Sequence, residues 1–104
     1  MQIVVKGRHM TVTEPIRAYA EEKVGKAAKV FDHNTINAEV ELYHEKNPSI
    51  EKSQIAEVTI YTKGPVIRAR EAATDMYAAI DLVSEKLEKQ VRKYKGKVKD
   101  RHSP

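Results

Sequence analysis

The chain has 104 residues, of which 40% are hydrophobic and 33% charged, with four glycines, four prolines and no cysteine. That length suits one domain with a modest core, and the missing cysteine excludes a disulfide scaffold, a thiolate zinc site, an iron–sulfur cluster and a cysteine nucleophile. No apolar run approaches the ~18–20 residues of a membrane span and the start lacks a signal-peptide core, so a soluble, cytoplasmic chain with no membrane partner is expected. The net charge of +4 admits an anionic partner, and it is unevenly placed. Residues 85–104 hold eight bases against three acids, a net of +5, which leaves −1 on the first 84.

Residues 2–8 (QIVVKGR) are β-branched, contain Gly7 and read as a strand. Thr13, Glu14 and Pro15 then open a helix: Thr13 as N-cap, Pro15 in the first turn where an N–H is not needed, Glu14 at the positive end of the dipole. Its apolar face is Ile16, Tyr19, Ala20, Val24, Ala27, Val30 and Phe31, and Asp32, His33 and Asn34 end it. Residues 36–45 alternate, with Ile36, Ala38, Val40 and Leu42 on one side and Asn37, Glu39, Glu41 and Tyr43 on the other. Residues 55–62 follow suit, with Ala56, Val58 and Ile60 inward and Glu57, Thr59 and Tyr61 outward; both are strands with one wet face. Residues 46–49 form a polar loop between them. Residues 62–65 (TKGP) read as a hairpin turn into a further strand at 66–71, with Arg68 and Arg70 opposite Ile67 and Ala69. Thr74 or Asp75 caps a last helix whose stripe is Met76, Ala79, Ile80, Val83, Leu87, Val91 and Tyr94, with Gly96 as the expected stop.

The order β-α-β-β-β-α implies an α+β fold. Three strands joined by short loops form an antiparallel meander, and the first strand, returning through a right-handed crossover, lies parallel to the second. Both helices must bury their stripes on one face of this four-stranded mixed sheet. The architecture is like that of double-stranded-RNA-binding modules with an extra first strand. Residues 1–96 form the single domain and 97–104 a flexible basic tail.

On the last helix the charges segregate. At ~100° per residue, Lys86, Lys89, Lys93 and Lys97 line one flank of the apolar stripe, and Asp81, Glu85 and Glu88 the other. Segregation gives up i,i+4 ion pairs and adds like-charge repulsion, which a phosphate backbone would relieve with release of counterions. The first helix repeats the pattern with Lys26 and Lys29, while Lys23 falls inside its apolar stripe and must snorkel outward. Two such helices side by side are expected to merge their cations along a groove that cradles a polyanion. The simplest reading of Arg68 and Arg70 is cross-strand pairing with glutamates on the same wet face.

Catalysis finds no residues to stand on. His9, His33, His44 and His102 have no metal-ligand spacing, no phosphate-binding glycine loop exists, and Asp75 and Asp81 lie on different helical faces. No enzyme, cofactor, metal or small-molecule substrate is expected. Tyr43 and Tyr61 could stack bases, but neighbouring glutamates repel phosphate. The residues alone leave open a generic structured-RNA-binding module or an interaction domain for an acidic protein.

The run 74–81 (TDMYAAID), followed by 86–90 (KLEKQ) and 92–95 (RKYK), resembles the second-helix signature of the ribosome hibernation promoting factors, also known as ribosome-associated inhibitors or sigma-54 modulation proteins. Residues 3–17, with Gly7-Arg8-His9 and Thr13-Glu14-Pro15-Ile16-Arg17, are similar too, as is the element order. The resemblance implies binding to the small ribosomal subunit and its 16S rRNA in the mRNA and tRNA channel, and inhibition of translation in stress or stationary phase. It implies rRNA contacts from Lys23, Lys26 and Lys29 on the first helix and from Lys86, Lys89, Arg92, Lys93 and Lys95 on the second. Long members of the family carry a further C-terminal domain for ribosome dimerisation, and the resemblance matches this chain to their N-terminal ribosome-binding domain.

Overall fold

The computed structural model describes residues 2–29, 35–47 and 50–101, with side chains described for all of these except 35, 36 and 94–101. The elements are β1 (Gln2–Gly7), α1 (Glu14–Lys29), β2 (Thr35–His44), β3 (Gln54–Thr62), β4 (Val66–Ala73) and α2 (Met76–Arg101). Four strands form one sheet in the order β1-β2-β3-β4. β1 runs parallel to β2, from Gln2 opposite Asn37 to Gly7 opposite Leu42, and the other two pairings are antiparallel. This is the α+β arrangement that the alternation and loop lengths predict.

Each boundary has a local cause. At the end of β1 a Cβ on Gly7 would collide with the Met10 carbonyl oxygen, so only glycine fits, and His9 takes a left-handed φ of 56° to turn the chain toward α1. Thr13 caps α1: its Oγ1 accepts from the Ile16 N–H at 3.4 Å. Asp75, rather than Thr74, caps α2, its Oδ1 accepting from the Ala78 N–H at 3.0 Å. Between β3 and β4 the Thr62 hydroxyl donates to the Pro65 carbonyl at 2.6 Å and accepts from the Gly64 N–H at 3.0 Å, which closes the expected hairpin.

Both helices lie on one sheet face. Ala20, Val24, Ala27 and Ala28 of α1 and Ala79, Ile80, Val83, Leu87 and Val91 of α2 are buried against Val5, Val40, Leu42, Val58, Ile60 and Ile67 of the sheet. The alanines of α1 let it approach closely. Arg17 ties α1 to the first strand by donating from Nη1 to the Val5 carbonyl at 2.8 Å.

Two features differ from the sequence expectation. α2 does not stop at Gly96 but continues to Arg101, 26 residues or ~39 Å, because residues 97–101 (KVKDR) contain no breaker and an internal glycine costs a helix only ~1 kcal/mol. The open sheet face is not wholly wet: Ile55 is 2% exposed there, in register with Tyr43 and Ala72. The expected contributions of Val30, Phe31 and residues 32–34 to α1 lie outside the described residues, as do the side chains of Ile36 and Tyr94.

Candidate nucleic-acid interface

α2 shows α1 one flank and solvent the other. The flank facing α1 is the acidic one. Asp81 accepts from the Tyr19 hydroxyl at 2.5 Å and stands 3.8 Å from the Lys23 ammonium, which also lies 5.4 Å from the centre of the Tyr19 ring. Tyr19 meets Tyr77 of α2 edge-on, with ring centres 5.1 Å apart. The hydrogen bond to Asp81, then desolvation, pushes the Tyr19 phenol up to about 12, because ionising it would set two negative charges side by side. Farther along, the interhelical groove is lined by Lys26 together with Ser84, Glu85 and Glu88. The expectation of merged cations between the helices is therefore corrected. Lys23 meets Asp81 of α2, Lys26 lines the groove beside Glu85 and Glu88, and the groove carries both signs.

The lysine row of α2 lies on the far flank, beside β4. Lys86 donates to the Arg70 carbonyl at 3.4 Å and pairs with Glu71 at 3.5 Å. Lys89 and Lys93, one and two turns on, are exposed and have no carboxylate within ion-pair distance among the described residues. Repetition of lysine at spacings of three and four keeps these ammonium groups on one line.

The remaining site candidates divide. Arg92 belongs to the acidic flank, where it pairs with Glu88 at 2.7 Å. Lys26 pairs with Glu22 of its own helix at 3.3 Å. Lys29 is exposed, with no ion pair among the described residues, and the side chain of Lys95 lies outside them. These exposed pairs are each worth ~0–1 kcal/mol, so a phosphate can displace the carboxylate.

The open sheet face carries a network that runs from the end of β1 across β2 and β3 to β4. Arg8, just beyond β1, pairs with Glu41 and lies 4.2 Å over the Tyr43 ring. The Tyr43 hydroxyl donates to Glu57 and accepts from Arg70 Nε at 3.0 Å, and Arg70 stands 3.4 Å from Glu57. Burial and the bond to Glu57 raise the Tyr43 phenol above its usual range, with Arg70 opposing. Glu57 faces Arg70 across the β3–β4 ladder, which is the cross-strand pair expected for this arginine. Tyr43 is thus committed to the network and not presented for base stacking. Sequence patterning gave Arg8 no partner because the register of the first strand on β2, which sets it beside Glu41 and Tyr43, cannot be read from alternation.

Among the described residues no group of three His, Cys, Asp or Glu side chains converges as a metal site, and no helix is long and apolar enough to cross a membrane.

The family described as sigma 54 modulation protein / S30EA ribosomal protein matches residues 3–99. The chain belongs to that family. Similar S30EA-family proteins include those named ribosome hibernation promotion factor in a Picosynechococcus species, 43% identical over 93% of this chain and 50% of its own length, and in Lactococcus lactis, 42% identical over 90% and 49%. This S30EA chain thus spans about half the length of the curated relatives it matches. Among solved structures it is similar to a ribosomal subunit interface protein from Coxiella burnetii, with TM-score 0.81 and 26% identity over 92% of this chain and 99% of that one. It is also similar to the N-terminal domain of Thermus thermophilus Protein Y, with TM-score 0.76 and 32% identity over 90% and 99%.

Proposed function

We propose that this S30EA domain is a ribosome hibernation module: it docks on the small ribosomal subunit in the channel used by mRNA and tRNA, and excludes both sterically during stress or stationary phase. The observation that carries this reading is the outer flank of α2, where Lys89 and Lys93 stand exposed without a carboxylate partner among the described residues, in line with Lys86. The names of its relatives supply the ribosome as the polyanion. Lysines that neutralise 16S rRNA phosphates release counterions, and that release is the main source of affinity that does not depend on base sequence. Lys23, Lys26, Lys29 and Arg92 add contacts by exchanging their exposed carboxylate partners for phosphate where they have one. The module works in the cytoplasm by occupancy, with no catalytic step, cofactor or small-molecule substrate.

The test is sedimentation with purified small ribosomal subunits at two salt concentrations. The wild-type domain co-sediments at low salt, falls off steeply as salt rises, and is displaced by tRNA. The triple variant K86E/K89E/K93E keeps its circular dichroism spectrum and stays in the supernatant. Co-sedimentation of that variant at the wild-type level would refute the site. Displacement by any RNA duplex as readily as by tRNA would reduce the reading to a generic RNA binder.

A further inference from the structure

The lysine row does not end on α2. At its β4 end a cavity of about 350 Å³ opens over β3 and the edge strand β4, lined among others by Glu57, Thr59, Arg68, Arg70, Lys86 and Gln90. β4 is an edge strand, with nothing paired beyond it among the described residues. The Arg70 carbonyl faces outward, since it accepts from Lys86. In a strand the N–H and C=O of one residue point to the same lateral side, and the side repeats every second residue. The backbone N–H groups of Arg68 and Arg70 therefore point outward from the β4 edge too.

The two arginines sit two residues apart on the same sheet face but have different surroundings. Arg70 is opposite Glu57 and is held by Glu57 and Tyr43. Arg68 is opposite Thr59, exposed, and has no ion pair among the described residues. Glu57, which lines the cavity, is engaged with Arg70, and Glu71 is engaged with Lys86. Beside the paired Glu57 the cavity offers one guanidinium with no ion pair among the described residues, an ammonium and an amide, and Lys86 is the α2 lysine that borders it, one turn before Lys89. Lys86 also shields an exposed sheet edge from pairing with another strand, which accounts for its position but not for Arg68.

We infer that the β4 edge is a second phosphate-contact site, in which Arg68 takes a backbone phosphate of the same RNA that follows the α2 lysine row. This inference rests on the RNA-binding reading above. It extends the footprint around the edge of the sheet and gives Arg68 a role that Arg70 does not share. A guanidinium binds phosphate in bidentate fashion, so Arg68 can fix the strand where the lysines only attract it.

The experiment is a salt titration of binding to purified small ribosomal subunits by wild type, K89Q, R68Q and R70Q, with thermal melts of all four. Each phosphate contact removed makes the slope of log affinity against log salt shallower by about 0.7–0.9. R68Q is expected to show that change, with affinity lower by about five- to tenfold at low salt and an unchanged melt. R70Q is expected to melt earlier and to keep the slope. An R68Q slope equal to wild type, where K89Q is shallower, overturns this inference and leaves the RNA-binding reading standing. Weaker R68Q binding at unchanged slope overturns it as well, because the arginine would then touch something other than phosphate. A wild-type domain with no steep slope overturns both.

Discussion

The two flanks of α2 carry opposite charge and have opposite partners. The inner flank turns Asp81, Glu85 and Glu88 toward α1, whose Lys23 stands at Asp81 and whose Tyr19 hydroxyl is bonded to it. The outer flank turns Lys86, Lys89 and Lys93 toward the sheet edge and solvent. A single segregated charge pattern thus does two jobs. One flank joins the helices; on the other Lys86 pairs with Glu71, while Lys89 and Lys93 have no ion pair among the described residues. Segregation along a helix is therefore evidence about a partner only on the side that the rest of the fold leaves unmatched.

Reversal of charge separates the flanks most sharply. K86E/K89E/K93E should abolish subunit binding, a loss of several orders of magnitude once three attractive contacts become repulsive. K23E/K26E should cost at least tenfold less in the same sedimentation assay, since these lysines already face carboxylates. Equal losses would mean that the inner cations are as important to the interface as the outer row. Leu87 is fully buried between the two flanks, so Leu87→Ala should lower unfolding free energy by about 2–5 kcal/mol in urea titration, while leaving the charges in place. Binding at temperatures where the variant remains folded should be close to wild type.

The smallest effect is confined to the inner flank. Tyr19 has a folded pKa raised from about 10 to about 12, so its contribution to stability is complete below pH 10 and is lost as pH rises from 10 toward 12. Tyr19→Phe should melt slightly earlier at neutral pH and show a flatter decline over that alkaline window. A decline as steep as that of wild type would assign the alkaline loss to other groups.

Strands and helices were legible because their hydrophobic periods are clean: Ala38, Val40 and Leu42 alternate, and Ile80, Val83, Leu87 and Val91 recur at helical spacing. The parallel placement of β1 followed from the helix between it and β2, which makes the connection a crossover and not a hairpin. The site was legible in part. The period of α2 placed Lys86, Lys89 and Lys93 on one line, but an angle measured from the core does not say which flank meets the neighbouring helix. That depends on where α1 lands on the sheet, so the shared cationic groove was expected and a mixed one is found. The difference between Arg68 and Arg70 was recoverable. Counting back from the Thr62–Pro65 turn sets Glu57 against Arg70 and Thr59 against Arg68, but alternation alone treats the two arginines alike. Gly96 misled because glycine ends a helix only where the chain must also turn.

The parallel pairing of β1 has a consequence for how the chain is made. Gln2 finds its ladder neighbour at Asn37, on the far side of a whole helix, whereas Tyr61 meets Val66 across a four-residue turn. On leaving the peptide exit tunnel β1 is thus obliged to wait, its outer backbone unclaimed, until the strand after α1 has also emerged. Nascent β1 is the stretch for which a chaperone would have most use, and the meander that follows is the stretch that can assemble without help.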